Sequence, residues 1–194
     1  GEAPRGNLGC GLLAAVNDNH SCIIRNNIIR NNSSSEKGGW GGGATLTGGR
    51  ILFEDNTVSH NVLNTYGLCV GAGIFYEMDG VDGTIDDVII RNNYIFKNTG
   101  NGPPNNSVGG GIAVGLRFDE KKIQIYNNVI AENHTNGYGG GVYAWSTDID
   151  LFNNTIYNNT ATIGANHIFT EGSASIVMFN NIVWSRSESD DIDI

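Results

Sequence analysis

The feature that most constrains this chain is a strict alternation of two short motifs along its length. An apolar segment ending in Asn-Asn (once Asp-Asn) recurs, with its second asparagine at Asn27, Asn56, Asn93, Asn128, Asn154 and Asn181. Between these anchors lie glycine clusters whose third residues are Gly11, Gly43, Gly73, Gly111 and Gly141, with Asn166 closing a degenerate sixth. The two series alternate without exception, at glycine-to-asparagine gaps of 16, 13, 20, 17, 13 and 15 residues. That makes six copies of one unit 25 to 38 residues long. Self-similarity at such a period is the mark of a stacked architecture rather than a conventional globule.

Columns through the aligned copies give the local structure. Five residues before each anchor stand Cys22, Ile51, Val88, Ile123, Ile149 and Ile176; three before it stand Ile24, Phe53, Ile90, Ile125, Leu151 and Met178. Two after it stand Ile29, Val58, Ile95, Ile130, Ile156 and Val183. Alternation with a period of two predicts short strands. The anchor asparagine between them reads as a bend, since Asn tolerates the left-handed backbone of a corner. A third strand follows each glycine cluster, with inward positions at Leu12, Ala44, Ile74, Ile112 and Val142. Three short strands per unit describe one coil of a solenoid whose neighbours stack about 4.8 Å apart. The anchor amides, one rung apart, are expected to bond to one another as a ladder at one corner.

These residues carry a family resemblance. NNxI followed by a later Asn, alternating with GGG and an aliphatic residue, resembles the right-handed parallel β-helix repeat of pectate-lyase-like proteins. The Phe53–Asn56 and Gly109–Ile112 segments are similar to passenger domains of polymorphic outer-membrane autotransporters and other bacterial surface β-helix proteins. The resemblance covers nearly the whole chain. It implies an all-β, right-handed parallel β-helix of about six coils, in one domain spanning residues 1–194. That fold hosts lyases, hydrolases, adhesins and inert stalks alike, so activity must be argued from a site.

Composition excludes some functions. A formal charge of −9 with only 11 basic residues argues against nucleic acid as a partner. No apolar run of about 18 residues is present, so no membrane span is expected. Neither end shows a polar cap over its last rung. The expectation is a chain that continues beyond these residues, subunits that stack end to end, or an unfamiliar cap. Cys10, Cys22 and Cys69 are expected to be mostly free thiols, with a Cys10–Cys22 bridge as the exception. His20, His60, His134 and His167 fall on different columns and have no metal-ligand spacing.

Candidate functional residues lie on outward columns. Two before each anchor stand Arg25, Glu54, Arg91, Tyr126, Phe152 and Phe179, a charge ladder passing into an aromatic one. Cross-strand pairing along such a column stabilises a sheet. The resemblance implies a second reading, a lyase centre in which Arg91 or Arg25 abstracts a sugar proton beside Glu54. The column departs from that pattern in offering a single acid. Phe75, Tyr143 and Trp145 project from the glycine strands and suit carbohydrate stacking, or packing under a loop. Trp40 and Tyr138, directly before their glycine clusters, share a column with Leu8, Val70, Val108 and Ile163 that reads as interior or corner packing. The loop at 77–87 gathers Glu77, Asp79, Asp82, Asp86 and Asp87. Its oxygen density suits calcium, although its spacing is not that of an EF-hand, and no other cofactor is called for. No nucleophile elbow or phosphate loop is present.

The reading that results is a secreted or cell-surface structural or adhesive β-helix, contacting polysaccharide through outward aromatics or packing against neighbouring β-helix subunits. A polysaccharide lyase or glycoside hydrolase is the first alternative, and a subunit of an end-to-end stacked extracellular filament is the second.

Overall fold

The computed structural model describes residues 7–8, 11–35, 38–78, 88–116, 122–185 and 191–194. Within them the chain is all-β; the one helical element is a single 3-10 turn, Pro104–Asn106. Every strand pairing is parallel, and each strand pairs with its equivalent one copy along the sequence. Among the described residues no helix is long and apolar enough to cross a membrane.

Five strand positions recur, distributed over four sheets. The first is the two-residue strand before each glycine cluster: Asn7–Leu8, Gly39–Trp40, Cys69–Val70 and Ser107–Val108. The second follows the cluster: Ile74–Met78, Ile112–Leu116, Val142–Trp145 and Ile168–Glu171. The third leads to the anchor: Val88–Arg91, Lys122–Tyr126, Asp148–Phe152 and Ser175–Phe179. The long strands Leu12–Arg25 and Ala44–Glu54 run through both of these positions and join them into one eleven-stranded sheet. After the anchor come a six-stranded sheet, with Tyr94–Phe96 and Val129–Ala131 at its middle, and a five-stranded sheet of two-residue strands such as Thr99–Gly100 and His134–Thr135. The expected three strands per unit thus become five. The two extra positions are two residues long, too short for alternation to reveal.

The inward columns are as the alternation predicts. Ile51, Val88, Ile123 and Ile149 are buried, as are Phe53, Ile90, Ile125 and Leu151, and Val58, Ile95, Ile130 and Ile156. They form one apolar cluster with the glycine-strand residues Ala44, Ile74, Ile112 and Val142. Each fully buried aliphatic side chain contributes about 1.5–3 kcal/mol. In the last copy the same columns are only half-buried, at Ile176, Met178 and Val183, and in the first copy Cys22 is half-buried while Ile24 and Ile29 are buried.

The anchor asparagines form the expected ladder, with side-chain bonds of 3.0–3.3 Å from Asn27 through Asn56, Asn93, Asn128 and Asn154 to Asn181. They are not themselves the left-handed residues. Positive φ falls one position earlier, at Asn26, Asp55, Asn92, Asn127, Asn153 and Asn180, with φ of 53–58°. The first residue of the pair turns the chain, and the second is thereby free to direct its amide inward. A second ladder stands five residues on, at Asn32, Asn61, Asn98, Asn133 and Asn159, with side-chain bonds of 2.8–3.0 Å. It too follows left-handed residues: Asn31, His60, Lys97, Glu132 and Asn158.

Candidate functional site

The corner between the first and second strand positions turns on one left-handed glycine in each of four copies: Gly41, Gly71, Gly109 and Gly139, with φ of 63–65°. A Cβ on Gly109 would meet the Ile112 carbonyl oxygen at 2.7 Å, so no other residue fits there without a shift. The turn brings outward side chains of two strand series against one another. Val70 from the short strands meets Phe75, Ala113 and Tyr143 from the glycine strands in a second apolar cluster, with Trp40, Val108, Tyr138 and Phe169 packed against it. In register, Trp40 pairs with Val70, and Val108 with Tyr138, which bridges in turn to Gly164 rather than to Ile163. The column expected to be interior or corner packing therefore sits at the corner and faces outward.

This cluster floors a cleft of about 630 Å³. Its aromatic rings are ordered by the stacking: Tyr143 and Phe169 lie parallel with centroids 6.1 Å apart, and Tyr138 and Phe169 are tilted at 4.9 Å. Leu68, Asn105 and Asn106 contribute a wall, and Glu77, Trp145 and Glu171 line the mouth. Phe75, Tyr143 and Trp145 all line this cleft, but in unequal roles. Phe75 and Tyr143 are 5% and 7% exposed and form the floor, whereas Trp145 is 42% exposed.

Trp145 lies between two glycines. Its Cε3 is 3.3 Å from where a Cβ on Gly115 would stand, and its Cδ1 is 3.4 Å from that on Gly172. Gly115 and Trp145 are direct cross-strand partners, as are Trp145 and Glu171. The indole thus rests on bare backbone, leaving surface open to a ligand. Glu171 is fixed from below by the Tyr143 hydroxyl, which donates to its Oε2 at 2.6 Å. Burial, and then this bond, hold the Tyr143 phenol well above its ordinary pKa, so it stays a proton donor across the physiological range. Glu171, Gly115 and Gly172 escape sequence reading because their relation to Trp145 lies in register. Trp145 stands four residues after Gly141 and Glu171 five after Asn166, so spacing alone sets them one position apart where the strands pair them.

The column before the anchors is a ladder of neighbours satisfying one another. Arg91 donates to Glu54 Oε2 from Nε at 2.9 Å and from Nη2 at 2.7 Å, and from Nη1 to the Tyr126 hydroxyl at 3.0 Å. Tyr126, Phe152 and Phe179 continue as stacked rings with centroids 4.6 and 4.8 Å apart. Hydrogen bonding to Glu54 raises the Arg91 pKa further, which opposes the deprotonated guanidine that a proton-abstracting arginine needs. Arg25 pairs in register with Glu54 on the other side and is exposed. The three lyase candidates share a column, but Arg91 and Glu54 are spent on one another.

Asp79, Asp82, Asp86 and Asp87 lie outside the described residues, as does Cys10. Among the described residues no group of three or more His, Cys, Asp or Glu could hold a metal ion. Cys22 carries a free thiol, and the buried Cys69 thiol donates to the Leu63 carbonyl oxygen at 3.8 Å. His167 is fully buried, with Nε2 2.8 Å from the Trp184 carbonyl oxygen, and it is the next residue, Ile168, that pairs with the inward Val142. No protein-family model, curated protein or solved structure matches this chain.

Proposed function

We propose that this chain is a right-handed parallel β-helix solenoid of six coils, extracellular or at a cell surface, that serves as a rigid scaffold presenting a carbohydrate-binding cleft. The observation that carries the reading is Trp145, an indole on bare backbone at the mouth of an aromatic-floored cleft. A sugar ring offers an apolar face to an aromatic plane and a rim of hydroxyls to nearby polar groups. Here Asn105, Asn106 and Glu171 line the cleft and suit the rim. The stacked architecture supports the same reading, because side chains fixed by register lose little freedom on binding. The lyase alternative draws less support, since Arg91 and Glu54 form a closed ion pair on a different column.

The test is a glycan array followed by calorimetry on the strongest binder, with wild type and Trp145→Ala. Removing an aromatic anchor typically costs about 2 kcal/mol or more, so Kd should rise roughly 30-fold while the fold is unchanged. An array without any binder, or a Trp145→Ala protein that binds as tightly as wild type, would overturn the reading.

A further inference from the structure

Charge at the cleft narrows the ligand class. Among the described residues that line it, two are acidic, Glu77 and Glu171, and none is basic. Both stand on one column of the glycine strands, in the register order Glu77, Gly115, Trp145, Glu171. One rung is about 4.8 Å, so Glu171 stands one rung from the exposed indole, and Glu77 two rungs away on its other side. An aromatic face with a carboxylate one rung away is the chemistry that recognises ammonium ions: the ring quadrupole and the negative charge attract the same group. Glu171 is exposed, and Tyr143 orients it through one oxygen, Oε2. A carboxylated sugar would meet the like charge of Glu171 at the edge of an apolar floor, where repulsion is poorly screened. The net charge of −9 adds a field of the same sign.

We propose that the cleft is selective for amino sugars bearing a free, protonated amine, with Trp145 stacking on the ring and Glu171 taking the ammonium. This rests on the carbohydrate reading above and deepens it. It also turns that reading away from polyuronates.

The experiment compares three oligosaccharides of equal length, built from glucosamine, N-acetylglucosamine and galacturonic acid. Binding is followed at pH 6 by calorimetry and by quenching of tryptophan fluorescence, at low and high salt. Glucosamine oligomers should bind about tenfold tighter than N-acetylated ones, the gain expected of one charge-assisted contact, and galacturonate oligomers should not bind. Glu171→Gln should erase the preference between the amine and its acetylated form, high salt should shrink it, and Trp145→Ala should weaken both ligands. Equal affinity for the amine and its acetylated form, or tighter galacturonate binding, would overturn the amine selectivity and leave the carbohydrate reading standing. Glucosamine binding that survives Trp145→Ala would overturn the proposal as adsorption of a polycation to an acidic surface. Absence of binding by all three oligomers would overturn the amine selectivity and count against the carbohydrate reading itself.

Discussion

Replacing Asn128 with alanine tests whether the asparagine ladder holds the stack together. Asn128 is 1% exposed and its amide makes four hydrogen bonds. Its Oδ1 accepts from the Asn93 backbone N–H at 2.9 Å and from Asn93 Nδ2 at 3.0 Å. Its Nδ2 donates to the Ile90 carbonyl at 2.8 Å and to Asn154 Oδ1 at 3.1 Å. After truncation, Asn93 Nδ2 keeps the Phe53 carbonyl, and Asn154 Oδ1 keeps the backbone N–H of residue 128. The Asn93 N–H loses its partner in a dry interior, while the Ile90 carbonyl lies within a paired strand. An orphaned buried group costs about 1–3 kcal/mol. The control is Asn27→Ala in the same ladder. Asn27 is exposed, and Asn56 Oδ1 retains the residue 27 N–H at 2.9 Å, so water can replace what is lost. Its cost should stay below about 1 kcal/mol. Urea unfolding followed by circular dichroism and tryptophan fluorescence, with coincident transitions as the check on two-state behaviour, measures both. If Asn128→Ala unfolds at the same midpoint as Asn27→Ala, the ladder is decoration and the argument fails.

Two further perturbations probe the corner and the cleft floor. Gly109→Ala must hold a left-handed backbone, at about 1–2 kcal/mol, and must also displace the Ile112 carbonyl and Ala113 Cβ, which lies 2.6 Å from the new methyl. It should lower the urea midpoint and weaken ligand binding together, whereas an unchanged midpoint would mean that the corner relaxes freely. The buried phenols of Tyr76 and Tyr143 have pKa values raised chiefly by burial, so the folded state holds their protons more tightly than the unfolded chain does. Their contribution is complete below about pH 10, where an unperturbed phenol ionises, and is lost as pH rises toward the folded-state values. Thermal melts between pH 9 and 12 should fall more steeply for wild type than for Tyr143→Phe; parallel curves would refute the assignment.

The division between what the sequence exposed and what it hid has a physical basis. The apolar columns at Ile51, Phe53 and Val58 and their equivalents were legible because stacking makes one residue type repeat at one place, and the ladder asparagines were legible for the same reason. The second ladder was equally available, since Asn32, Asn61, Asn98, Asn133 and Asn159 each stand five residues after an anchor. The turning residue was misplaced by one, because Asn occupies both positions of the pair in every copy but Asp55-Asn56, and composition alone cannot say which adopts positive φ. The cleft was half visible: Phe75, Tyr143 and Trp145 stood out as aromatics, but that Trp40 and Tyr138 join them follows only from the sharpness of the glycine corner. Burial of Phe75 and Tyr143 likewise depends on rings contributed by another strand series, which no single-strand alternation reports.

A stacked repeat also says where a specific function can reside. Columns bound into a ladder cannot vary, because each member is the hydrogen-bond partner of the next; Asn56, Asn93, Asn128 and Asn154 leave no room for a different chemistry. Two outward columns do vary. The one before the anchors reads Arg25, Glu54, Arg91, Tyr126, Phe152 and Phe179, yet from Glu54 onward each member is occupied by its neighbour through an ion pair, a hydrogen bond or ring stacking. That variation is consumed in holding the sheet. The other reads Thr47, Glu77, Gly115, Trp145 and Glu171 across register-paired strands. Here Gly115 leaves Trp145 a bed instead of a stacking partner, and the column bounds a cavity rather than filling it. Cross-strand pairing stabilises a sheet by filling such gaps, at about 0.2–1 kcal/mol per pair. A column that forgoes this beside an aromatic floor has its open surface available to something other than the fold.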